Sequence, residues 1–317
     1  MQVKKIDTTT IGQPKIAYRP KTFAEFIGQK DITRVVETAL SSTKKSERTL
    51  GHILLLGPAW YGKTTLAQII AHELNSQCKI VTAYAITKPA DMISLLNALN
   101  QWDVLFIDEI HRLTPKLEEM LYTAMEDYQI DMVMPDGGHV SIPLQPFTLI
   151  GATTKADHLS KPLKSRFVYK FHFAEYSDDE KQQILAYYLT QLGVWYDQNS
   201  WVIEQFADLL ETIPRELYNA CVRLYDYLNV HHKDLALTPL TIGDFASWNK
   251  SKSGGLNSLH IAYLDLFDLD AAPMWLNTIA VKLWLDDQTV EEEIEPLLIK
   301  LWYVERTPKW RKVTMIR

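Results

Sequence analysis

HILLLGPAWYGKTTLAQIIAHEL, residues 52–74, reads as a short apolar strand, a turn bounded by glycines and an amphipathic helix. The turn fits G-x-x-x-x-G-K-[ST] with Gly57, Gly62, Lys63 and Thr64, between a strand and a helix as that motif requires. In such a loop, backbone N–H groups and the helix N-terminus cradle phosphates. The lysine neutralises charge on the β- and γ-groups, and the threonine hydroxyl ligates Mg2+. ATP with Mg2+ is the expected ligand. Trp60 and Tyr61 are the oddity, since such loops are usually lean and the place of Trp60 commonly needs the backbone freedom of glycine.

Outward from this stretch, apolar runs alternate with helical ones as far as about residue 176: DVLFIDE (103–109), KLEEMLYTAMEDY (116–128) and FTLIGATT (147–154). Continuous apolar strands joined by crossover helices give a parallel sheet covered on both faces. Ligands of open sheets bind at the carboxyl ends of the strands. Asp108 there is the expected metal-holding acid, Glu109 the residue that polarises the attacking water, and Thr153 or Thr154 a hydroxyl facing the γ-phosphate. Between the last two runs, DMVMPDGGHVSIPLQ (131–145) has two β-prone arms around Asp136, Gly137 and Gly138, a hairpin signal.

The rest of the chain changes character. From 177 to about 232 the period is helical, and NKSKSGG (249–255) reads as a linker. Three short helical runs and a basic end, RTPKWRKVTMIR (306–317), follow, which suggests a winged helix. The fold expected is α/β: a P-loop ATPase domain with a parallel sheet at 19–176, a small helical lid at 177–250 and a winged helix at 256–317, behind a flexible tail at 1–18. The 317 residues, 47% hydrophobic, suit two or three domains. A net charge of -6 argues against indiscriminate nucleic-acid binding, yet the charge is uneven: DDQTVEEEIE (286–295) holds six acids and the basic end none. Two distant cysteines, no secretory signal and no apolar run near the roughly 20 residues of a membrane span point to a cytoplasmic protein.

RPKTFAEFIGQ (19–29), the loop, DVLFIDEIHRL, the AMEDY stretch and GATT, in this order, resemble the RuvB family, bacterial AAA+ motors of Holliday-junction branch migration. The resemblance runs from about Arg19 to Arg311. It implies an ATP-dependent DNA helicase or translocase that forms a homo-hexameric ring on duplex or four-way DNA. Lys63, Thr64 and Thr65 match its phosphate and metal residues, Asp108 and Glu109 its metal-holding acid and base, and Thr154 its sensor threonine. Gly57, Trp60 and Gly62 complete the loop. Tyr18, Arg19, Glu126, Asp127, Tyr128 and Tyr176 match positions around the nucleotide, with Tyr176 nearest adenine. Arg166 matches the arginine that reaches a neighbouring subunit's nucleotide, and Arg215 the one that senses the γ-phosphate. The family usually has glycine where Thr212 or Ile213 stands here.

Arg306 and Arg311 match phosphate contacts of the wing, with Trp310 where the family typically has glycine. The resemblance also implies a RuvA-like adaptor docked on the hairpin, but this hairpin is shorter and lacks arginine. His139, Val140 and Ile142 leave either an apolar contact or a plain structural hairpin. Two other readings stay open. A clamp-loader-like ATPase would carry a helical collar in place of a wing, and a nucleotide-binding scaffold that has lost hydrolysis would account for Trp60.

Overall fold

In the computed structural model the aliphatic runs of the first half become one sheet. The structure describes residues 19–133, 139–198, 201–232, 234–267, 273–307 and 310–314. The tail, Tyr18, the hairpin tip at 136–138 and the side chain of His139 therefore lie outside it. The described residues form two compact units, 19–180 with Ile213–Arg215, and 181–212 with 216–314.

The first unit runs α1 (Lys30–Ser46), β1 (Ile53–Leu56), α2 (Lys63–Glu73), β2 (Cys78–Thr82), α3 (Pro89–Asn97), β3 (Val104–Asp108), α4 (Pro115–Glu126), β4 (Gln129–Val133), β5 (His139–Pro143), β6 (Thr148–Thr153), α5 (Lys161–Arg166) and β7 (Tyr169–His172). Five strands pair in parallel in the order β2-β3-β6-β1-β7. Every residue of β1 and β6 is buried, as strands covered on both faces must be. The helices cover them with apolar stripes: α1 turns Ile32, Val36, Ala39, Leu40 and Thr43 inward, a 3.6-residue spacing. Leu56 pairs with Thr153 and with His172, and Thr82 with Asp108, so Gly57, Asp108, Thr153 and His172 gather at the carboxyl edge. The hairpin expected around residue 137 is β4–β5, antiparallel with Ile130 opposite Ile142. Ile142 packs against the core and Val140 is exposed.

The second unit begins within α6 (Asp178–Gln191) and continues through β8 (Trp195–Tyr196), α7 (Val202–Asp208), α8 (Pro214–His231), β9 (Ala236–Leu237) and α9 (Pro239–Asn249). The stretch read as a linker is tied down. Lys252 N–H donates to the Leu256 carbonyl, Ser253 Oγ donates to Asp208, and a Cβ on Gly255 would meet the Leu210 backbone at 2.8 Å. Then come α10 (Ser258–Leu264), β10 (Met274–Trp275), α11 (Leu276–Leu283), α12 (Asp287–Thr289), a π turn into α13 (Glu295–Lys300), β11 (Val304–Arg306) and β12 (Trp310–Val313). The three strands form an antiparallel wing, β10-β12-β11, beside helices whose core includes Tyr263, Ile279, Ile294 and Leu298. This is the winged helix read from the sequence; it is not a collar. No helix among the described residues is long and apolar enough to cross a membrane.

The wing corrects one expectation. Alternation along β12 turns Trp310 and Lys312 outward and Arg311 and Val313 inward. Arg311 is 2% exposed; its Nε donates to Glu295 Oε1 at 2.7 Å and its Nη2 to Glu291 Oε1 at 2.6 Å. A guanidinium already held by two carboxylates inside the domain is a structural ion pair, not a surface phosphate contact. Arg306 stays half exposed, bonded at 2.7 Å to Glu291. Trp310, the departure from glycine, packs on Trp275 with ring centroids 4.5 Å apart.

Candidate nucleotide site

The loop between β1 and α2 is shaped by close approaches. Gly57, at φ 141°, donates its N–H to the Thr153 carbonyl, and a Cβ there would lie 2.9 Å from Phe173. Gly62, at φ 98°, caps α2, where a Cβ would press on the Phe26 ring. Both need the left-handed freedom of glycine. Lys63 is buried and donates to the carbonyls of Gly57 (2.8 Å) and Pro58 (2.5 Å). Thr64 and Thr65 stand half-buried in the first turn of α2.

Trp60 does sit in the left-handed region, at φ 66°, where a bulky residue is an outlier. Its indole is 51% exposed, with the Arg215 guanidinium 5.7 Å from the ring centroid. Tyr61 turns inward; its ring lies 5.9 Å from that of Tyr176, whose hydroxyl donates to the Tyr61 carbonyl at 3.0 Å. Tyr176 thus braces the loop from beneath, with burial pushing its hydroxyl pKa far up. For Trp60→Gly, about 1–2 kcal/mol of left-handed strain is relieved. Against this stand roughly 1 kcal/mol of glycine backbone entropy and about 0.5–1 kcal/mol of cation–π attraction. Thermal denaturation is expected to change by less than about 1 kcal/mol, and turnover by no more than about two-fold.

At the end of β3, burial raises the pKa of Asp108 and the neighbouring Glu109 charge raises it further, while the Glu109 N–H, 3.0 Å from Oδ1, and Lys63 oppose this. Burial lowers the pKa of Lys63, and Asp108 and Glu109 hold it up. Titratable groups that perturb one another at a sheet edge mark a candidate site. Glu109 adopts φ 48°; its Oε2 lies 3.1 Å from His111 Nδ1 and accepts a long bond, 3.4 Å, from Thr154 Oγ1. Thr153, the alternative hydroxyl, is wholly buried and faces His111 at 2.8 Å. Arg19 reaches α2, donating to Gln68 Oε1 at 3.2 Å.

Arg166 lies elsewhere. Ile53 pairs with Tyr169 and Leu56 with His172, so β7 runs alongside β1 and Arg166 precedes it at the amino edge, while Gly57 follows β1 at the carboxyl edge. The strand between them alone spans about 13 Å. Arg166 donates to Glu126 Oε2 at 3.2 Å and to the Pro162 carbonyl at 2.9 Å, and lies 4.3 Å from the Tyr122 ring centroid. Glu126, Asp127 and Tyr128 share this edge with Arg166, away from the chain's own loop. His52, just before β1, bonds the Met125 carbonyl at 3.0 Å, which fixes the end of α4 at the amino edge; Asp127 caps that helix and Tyr128 packs edge-on to Phe147.

Among the described residues no group of three or more His, Cys, Asp or Glu is gathered to hold a metal. A hard cation bound together with phosphates needs only one or two carboxylates, with the nucleotide supplying further oxygens. The desolvated Asp108 and the hydroxyl of Thr64 fit that donor set.

Residues 18–173 match the model of the Holliday junction DNA helicase RuvB P-loop domain, and residues 253–316 that of the RuvB C-terminal winged helix domain. The Holliday junction branch migration complex subunit RuvB of Ligilactobacillus salivarius is 38% identical over 303 residues, 94% of this chain and 89% of the relative. The chain belongs to the RuvB family. The RuvB of Campylobacter lari is 36% identical over 305 residues, covering 92% of this chain and 88% of its own. The structure of the Thermotoga maritima RuvB Holliday junction branch migration motor superposes with a TM-score of 0.78 at 33% identity, covering 94% of this chain and 95% of that one. As a RuvB P-loop protein, this chain binds nucleotide.

Sequence reasoning passed over His111 and Gln68. The sequence signal for His111 was its place two residues after Glu109 in DVLFIDEIH; Gln68 gave none.

Proposed function

We propose that this chain is the ATP-driven motor subunit of Holliday-junction branch migration. One observation carries the reading: loop, acids and sensor threonines share the carboxyl edge of the sheet, and Arg166 stands at the opposite edge of a chain that also carries a winged helix. Lys63 and the first amide groups of α2 hold the β- and γ-phosphates of ATP, and Asp108 with Thr64 would hold Mg2+. The ion would draw charge from the phosphates. Glu109 orients the attacking water beside Thr154; Arg215 faces the γ-phosphate from the same chain and Arg166 that of a neighbour. That split favours a homo-hexameric ring, in which hydrolysis depends on assembly.

Arg306 is the phosphate contact retained for the wing, a position-setting contact that reads no base. The proposal does not extend to a RuvA-like adaptor on the hairpin, where Ile142 turns to the core while Val140 and Pro143 are exposed. A synthetic four-way junction incubated with ATP tests the reading, with and without added RuvA. Conversion to duplex products that Glu109→Gln abolishes is expected. ATP turnover without conversion in either condition sinks the motor.

A further inference from the structure

We propose that His111 is a positioning residue, whose Nδ1 sets the direction of the Glu109 carboxylate and links it to Thr153 at the end of β6. The inference rests on the ATPase reading above, in which Glu109 orients water. His111 follows β3 in a 3-10 turn, Ile110–Arg112, and its side chain is only 5% exposed. One ring nitrogen faces two oxygens: Glu109 Oε2 at 3.1 Å and Thr153 Oγ1 at 2.8 Å. The ring is held edge-on against His158, with centroids 5.8 Å apart.

A single nitrogen cannot serve both oxygens in the same way. Thr153 Oγ1 accepts the Lys155 N–H at 2.9 Å and keeps a proton that it can donate to Nδ1. When Nδ1 lacks hydrogen, its one lone pair accepts from Thr153 and no donor is left to hold the carboxylate. When Nδ1 carries hydrogen, it donates to Glu109 and fixes it. Burial holds the imidazole's pKa down, which favours the neutral ring in which this choice exists.

The neighbouring Thr154 reaches the same Oε2 directly and lines, with Gly57, Lys155, His158 and His172, a cavity of about 420 Å3. The end of β6 therefore touches the base twice, once through Thr154 and once through Thr153 and His111. A shift of this strand end on nucleotide contact changes which partner holds Nδ1, and so frees or restrains Glu109.

Steady-state ATP turnover of three variants tests this. His111→Ala is expected to lower kcat about ten-fold with KM for ATP changed less than about two-fold, because orientation of the base is lost and binding is not. His111→Asn, whose amide nitrogen falls where Nδ1 was, is expected to recover to within about three-fold of the parent; His111→Gln, which reaches toward Nε2, is not. A matching rise in KM, recovery by Gln in place of Asn, or parental kcat in His111→Ala overturns the inference. Should His111→Ala fail to fold, the contrast between Asn and Gln carries the test. Glu109→Gln, assayed alongside, separates the two levels: if it turns over normally, the reading of Glu109 as base falls, whereas if it is inactive and His111→Ala is normal, only the role of His111 falls.

Discussion

Arg166→Ala is expected to lower ATP turnover of the assembled protein by about 10³-fold, the effect of removing an arginine supplied in trans. Binding of nucleotide to the mutated subunit itself should be nearly unchanged, because its own loop is at the other edge of the sheet. Folding should change little too, since the guanidinium's bond to the exposed Glu126 and its place over Tyr122 contribute about 1 kcal/mol or less each. The decisive measurement is a mixture. Lys63→Ala subunits cannot hydrolyse ATP but keep Arg166, and Arg166→Ala subunits keep an intact loop. In a 1:1 mixture roughly a quarter of interfaces pair a working loop with a working arginine, if the ring assembles by symmetric repetition of one interface. Turnover should therefore reappear on mixing two inactive proteins. Two inactive proteins that stay inactive together, or an Arg166→Ala variant that turns over normally alone, would remove the trans role.

What the sequence disclosed, and what it withheld, follows a physical line. Gly57, Gly62, Lys63, Thr64 and Asp108 were readable because phosphate chemistry dictates both their type and their spacing. The parallel sheet was readable because strands buried on both faces need unbroken apolar runs, as in β1 and β6. Which edge of the sheet a residue occupies is a matter of register, and no local pattern carries it. That is why the sequence placed Glu126 around the nucleotide without saying on which edge, and the structure sets it with Arg166. Local pattern left Thr153 and Thr154 open, and only the resemblance picked Thr154: β6 ends at Thr153, which is wholly buried, and the next residue emerges into solvent beside Glu109. Trp60 raised a question about the backbone that only a dihedral angle answers. The loop takes its left-handed turn with a tryptophan in place, and the exposed indole lies toward Arg215.

Arg311 shows the same limit with the largest energetic consequence. A basic run after an acidic one reads as two separate surfaces, yet the helix carrying Glu291 and Glu295 lies against the wing and the two charges meet inside. Glu295 is fully buried, its Oε1 also accepts from Tyr263 at 3.2 Å, and its Oε2 has no hydrogen-bond partner. Arg311→Ala would strand that carboxylate without its cation, which costs about 3–5 kcal/mol for a buried pair. Arg306→Ala, at an exposed pair, should cost no more than about 1 kcal/mol. Hydrogen exchange of the amides in β11 and β12 measures both: protection should collapse in Arg311→Ala and persist in Arg306→Ala. Replacing Arg311 and Glu295 together by Met and Leu should recover most of the loss, because no charge is then left buried. DNA affinity should order the variants differently. Arg306→Ala should weaken binding with its fold intact, and the doubly substituted protein should bind duplex as the parent does. If Arg311→Ala kept full exchange protection and lost duplex binding, the guanidinium would be a phosphate contact after all, and the buried pair a minor feature of the wing.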